Sequence, residues 1–188
     1  MQTYENQQQD YSRSPYSLFT SRLIRAAQLK AEVYEEVEAD KTALSQAVAV
    51  VILSSVAAGI GSFTGNFLNI IATTAGALGG WFLWAFITYV IGTRLLPQTQ
   101  TEADYGQLLR TIGFSSSPGL IRVFGIIPGI SGILFLIASI WMLIAMVVAV
   151  RQALDYTSTW RAIAVVGIGW VIQAILLLVI MALVAPIT

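Results

Sequence analysis

TALSQAVAVVILSSVAAGIGSFTGNFLNIIATTAGALGGWFLWAFITYVIGT, residues 42–93, runs for 52 positions without one Lys, Arg, Asp, Glu or His. A bilayer's hydrocarbon core takes about 20 apolar helical residues to cross, so this stretch is long enough for two spans and a turn. The turn marks itself as GSFTGN, residues 61–66, where two glycines and an asparagine interrupt the aliphatic runs. A soluble hairpin with no charge on either face has nothing to offer water, whereas lipid and neighbouring helices ask only for apolar contact. The fold class that follows is an all-α membrane protein organised around a membrane-embedded helical hairpin.

The rest of the composition agrees. Only 11% of residues are charged and 56% are hydrophobic, with a mean hydropathy of +0.75. Without cysteine there are no disulfide staples or thiolate metal sites, and without histidine the usual proton shuttle and the commonest metal ligand are missing. Ten basic residues balance ten acidic ones, which leaves no basic stripe for nucleic acid.

On the N-terminal side, residues 1–17 are rich in Gln, Tyr and Ser without a hydrophobic period and read as a disordered tail. Residues 18–40 carry a 3.6-residue period, with Leu18, Phe19, Ala26, Leu29, Val33 and Val37 on one side. This predicts a cytoplasmic amphipathic helix. Arg22, Lys30 and Glu36 break its pattern by sitting near the apolar side. The first hydrophobic run begins near residue 43, too late for a simple cleavable signal peptide.

On the C-terminal side, the membrane domain occupies residues 41–188, with spans expected at about 43–61, 67–96, 107–127, 130–151 and 160–184. In the second, Gly76 and Gly80 form a small-x3-small pair, which predicts close contact with another helix. Trp81 and Trp84 lie deep enough to be packing residues. Asp104 is placed to cap a helix starting at YGQLLR. That third span is expected to be kinked at Pro118, with the serines at 115–117 compensating the carbonyl that proline leaves free. Arg151 and Asp155 stand at i,i+4 spacing for an ion pair. Threading five spans puts nine of the ten basic residues on one side, so the N-terminus is expected in the cytoplasm and the C-terminus outside.

The residues also carry a family resemblance. VYEEVEADKTALSQAVAVVILSSVAAGIG, GALGGWFLWAFITYVIG, YGQLLRTIGFSSSPGL and IWMLIAMVVAVRQALDYTSTWRAIAVV, in that order, resemble the Yip1 domain family in its bacterial branch. The resemblance covers about residues 30–185 and implies five membrane helices, a cytosolic N-terminus and a bacterial inner (plasma) membrane. Eukaryotic members of that family sit in Golgi and ER membranes, contact Rab-type GTPases and take part in vesicle traffic. Their DLYGP hallmark is absent here, where VYEEVEAD stands in its region, so GTPase binding does not carry over.

No motif of hydrolytic, redox or nucleotide chemistry is present, and no catalytic, cofactor-binding or metal residues are assigned. Arg122 lies inside the third expected span, and no intramembrane acid is available as its partner. It has two readings: a stem that snorkels to the outer interface, or a guanidinium holding an anion or lipid headgroup inside the bundle. The expected role is a non-enzymatic membrane protein that organises or binds membrane components, its partners being lipids, other membrane proteins or further copies of itself. The alternative is a small transporter or channel, which requires a continuous polar path through Asn69, Thr73, Thr88, Ser139 and Gln173.

Overall fold

The structure, a computed structural model, describes residues 15–62 and 67–184. The expected tail lies outside the described residues up to position 14, and positions 15–17 form the first turn of α1 (Pro15–Ala27).

The single amphipathic helix expected over 18–40 is instead two helices, α1 and α2 (Ala31–Ala39). The chain breaks at Leu29, whose φ of 62° is left-handed. Two hydrogen bonds close the end of α1: Lys30 N–H donates to the Arg25 carbonyl at 3.1 Å, and Leu29 N–H donates to the Ala26 carbonyl at 3.0 Å. This is the Schellman closure, here built without its usual glycine. The fold-back also explains the charges that break the pattern. Arg22, only 4% exposed, pairs with Glu36 and Asp40 at 2.8 Å each and donates to Gln46 at 3.0 Å. Arg25 reaches the other Glu36 oxygen at 2.5 Å. Charges that look misplaced on one helix are partners across two.

Among the described residues, four helices are long and apolar enough to cross a membrane: α3 (Ala43–Gly61), α4 (Phe67–Val90, prolonged by a π turn to Leu95), α6 (Ser131–Ala153) and α7 (Thr159–Val184). Their outward side chains, among them Phe67, Ile133, Leu136 and Leu178, stay exposed, as suits helices solvated by acyl chains. The third expected span is not a continuous α-helix. It consists of a ten-residue α5 (Tyr105–Phe114) followed by a 3-10 segment, Ser117–Ile126. The Asp104 cap forms as a full capping box with Gln107.

The α-helix stops here because Pro118 has no N–H to offer the Phe114 carbonyl. Ser117 Oγ donates to that carbonyl at 2.6 Å, and Ser115 Oγ donates to the Ile112 carbonyl at 2.7 Å. Beyond the break, the chain runs beside α3 in the same direction. Small residues meet at every level: Gly113 against Ala47, Gly119 against Ser54, Gly125 against Gly61. The intervals are six residues on one strand of this seam and seven on the other. From Gly119 to Gly125 that is about two turns of 3-10 helix beside about two turns of α-helix, so the same faces meet again. α6 then packs on the other flank of the 3-10 segment.

Polar groups gather at the end where α1 and α2 lie. Arg110 Nε donates to the Val37 carbonyl at 2.9 Å and Nη2 to the Glu38 carbonyl. Gln152 Nε2 donates to Glu35 at 2.6 Å, and the Tyr156 hydroxyl donates to the Leu96 carbonyl at 2.6 Å. The expected Arg151–Asp155 pair does not form. α6 ends in a second Schellman closure, with Asp155 left-handed at φ 52°, and Arg151 donates to the Tyr156 carbonyl instead.

Candidate functional site

A cavity of ≈ 650 Å³ lies between α3, the 3-10 segment, α6 and the outer half of α4, and α7 supplies Trp170 and Gln173. The first two turns or more of α4, residues 67–76, are mostly exposed, and α4 meets α7 lower down, where the Trp84 ring covers Gly169. The gap between these helices therefore opens sideways, towards the bilayer. Ser54, Ser55, Asn69, Thr73, Ser116 and Gln173 give its wall polar groups, and Trp81 and Trp84 line it too.

Among the described residues, Gly76 and Gly80 meet no other helix of this chain. A Cβ at either glycine, or at Gly79, would meet nothing within 4 Å. Small-x3-small spacing permits a close approach but supplies no partner, and within this chain none arrives. Gly80 lines the cavity, so its missing side chain widens the gap. Gly61, Gly113 and Gly125 do pack against a facing backbone, and Gly119 packs against the side chains of Ser54 and Met142. Their signal was available in the six-residue spacing of the last three.

Arg122 lines the cavity. Its own carbonyl packs on Gly61, at the level where Ser131 opens α6. Its Nη2 donates to Ser139 Oγ at 3.0 Å, eight residues further along α6, or about 12 Å deeper at 1.5 Å per residue. The stem thus runs along α6 away from the nearer helix ends, to a bond with a Ser139 that is itself exposed on α6. The guanidinium also lies over the Phe135 ring, 5.4 Å from its centroid. Ser139 accepts from Arg122 while donating to the Phe135 carbonyl at 2.7 Å. Arg122 Nε is buried and has no hydrogen-bond partner, and among the described residues no carboxylate pairs with this arginine.

Thr74 Oγ1, Trp84 Nε1 and Thr88 Oγ1 on α4 share that state, whereas Trp81 Nε1 donates to the Leu109 carbonyl at 3.1 Å. Of the five residues named for a polar path, Asn69, Thr73 and Gln173 line the cavity and Ser139 joins it through Arg122. Thr88 is fully buried and is not part of the wall. Pro118 lies at the start of the 3-10 segment, where it sets the α-to-3-10 change described above. No group of three or more metal-ligating side chains occurs among the described residues.

At the polar end, Glu38 combines burial with charge. Burial and the neighbouring Asp155 push its carboxyl up to about 7; Arg110 opposes this, while Glu35 and Asp104 add to it. Glu36 and Asp40 move the other way. Although burial alone would raise them, hydrogen bonds and charge, from Arg22 and Arg25 at Glu36 and from Thr42 and Arg22 at Asp40, hold both below the usual carboxylate range.

No curated protein and no solved structure matches the chain. The Yip1 domain pattern matches residues 30–181, which takes in α2, the small-residue seam, the cavity and nearly all of α7. This membrane-embedded chain belongs to the Yip1 domain family.

Proposed function

We propose that the protein is a non-enzymatic integral membrane protein that organises or binds other components of its membrane, and that the lateral cavity is where it engages them. The observation that carries this reading is a gap between α4 and its neighbours, open beside the exposed residues 67–76, whose largely apolar wall carries a few polar groups such as Asn69, Thr73 and Gln173. A transport path needs polar lining from end to end. Here the lining gives way to Trp81 and Trp84, and Thr88 beyond them stands alone. Reconstitution into sealed vesicles tests the point. Retention of bound membrane components without protein-dependent release of trapped phosphate or carboxylate dye is the expected result. Release that disappears in Arg122→Gln would instead establish the transporter reading.

The same proposal includes five crossings of a bacterial plasma membrane, with α1 and α2 in the cytoplasm and the C-terminus outside. The course of residues 105–126 beside α3 supports it, since the chain reaches the Gly61 end before α6 returns. So does the clustering of Arg22, Arg25, Arg110 and Arg151 contacts at the opposite end. Single cysteines at Thr99 and Thr157 should be shielded from an impermeant thiol reagent in intact cells, and one at Ile127 should react. Labelling at Thr157 from outside removes the five-crossing topology.

A further inference from the structure

We propose that the cavity binds one phosphate-bearing lipid from the leaflet at the Gly61 end, its phosphate held by the guanidinium of Arg122. This deepens the reading of the cavity as the place of engagement and rests on it. The first reason is charge. An arginine on a crossing segment carries a cost that a counter-charge must offset, and no carboxylate among the described residues does so. The second is the kind of group left over. The guanidinium N–H groups of Arg122 beyond the one on Ser139 can only donate, so an occupant that meets them must bring acceptors.

The third reason is access. A gap that opens into a bilayer is filled by lipid, and Gly80 leaves the α4 wall without a side chain to close it there. The volume of ≈ 650 Å³ falls among ordinary small-molecule sites, enough for a headgroup and the adjoining chain segments, with the remainder leaving sideways. Guanidinium geometry favours phosphate. With one Nη2 N–H on Ser139, the other Nη N–H groups are left for phosphate oxygens, which a planar fork serves better than an ammonium point charge.

Native mass spectrometry of the purified full chain is the test, with phosphatidylglycerol, a phosphate-free diacyl glycolipid and inorganic phosphate as probes. The wild type should retain one phosphatidylglycerol and neither of the others. Arg122→Gln should lower that retention about tenfold, the loss of one charge-assisted hydrogen bond, and Arg122→Lys should keep an intermediate share. Gly80→Leu guards against a folding artefact: its side chain enters open space, so the melting temperature should hold while lipid retention falls. Equal retention of phosphatidylglycerol by wild type, Arg122→Gln and Gly80→Leu would overturn the site. Binding of inorganic phosphate alone would overturn the lipid as its occupant. Either result would leave the vesicle-release test of the broader function standing on its own.

Discussion

Gly61→Ala is expected to destabilise the bundle by about 3 kcal/mol or more, the range of overpacking that no rotamer change can relieve. The added Cβ would overlap the Arg122 carbonyl, a backbone atom held by the 3-10 segment, and it would also press on the Phe135 ring at 3.3 Å. Gly125 lies against the same point from the other side, where a Cβ would come within 2.8 Å of the Gly61 carbonyl. Neither chain can retreat without opening the seam. Gly76→Ala is the matched control, because its Cβ meets nothing and alanine is the better helix former. Thermal unfolding in detergent, followed by tryptophan fluorescence, should separate the two clearly. If Gly61→Ala melts with the wild type, residues 117–126 do not lie against α3 as described.

That pair of glycines also shows what the sequence can reveal and what it cannot. The charge-free run of 42–93 exposes the hairpin because the exclusion of charge from hydrocarbon acts residue by residue. The Asp104 capping box and the serines before Pro118 were legible for the same reason: their hydrogen bonds lie within four residues. Partner choice is a longer-range matter. Gly76/Gly80 and Gly113/Gly119/Gly125 look equally suited to close contact, and only the fold brings α3 to the second set. The α1–α2 break was hidden because Leu29 carries no signal for a left-handed backbone. Its compensation comes from Arg22 meeting Glu36 and Asp40, 14 and 18 positions along the chain. At the site, the presence of Arg122 in the membrane domain was readable. Its direction along α6 was not, since that depends on where Ser139 and Phe135 stand on another helix.

Arg110→Met should be the second severe change, at about 3 kcal/mol, and it should also alter how stability depends on pH. Arg110 is 6% exposed and holds the last carbonyls of α2, those of Val37 and Glu38. Methionine keeps the apolar stem but leaves both carbonyls without this donor and withdraws positive charge from the end of a helix, where it is favourable. The pH effect follows from Glu38, raised to about 7 by burial first, then by Asp155, Glu35 and Asp104 against the pull of Arg110. A carboxyl whose folded value lies above its unfolded one keeps its proton longer in the folded state. Stability therefore falls as pH rises from the ordinary carboxylate range through about 7, and levels off above it. Without Arg110 the folded value climbs further, so the fall should continue past pH 7. Glu38→Gln should abolish it in that window, because an amide does not titrate. Melting temperatures of the wild type and the two variants across pH 5 to 9 provide the check. A Glu38→Gln protein with the wild-type slope would show that another group titrates there, and an Arg110→Met protein with the wild-type midpoint would separate Arg110 from Glu38.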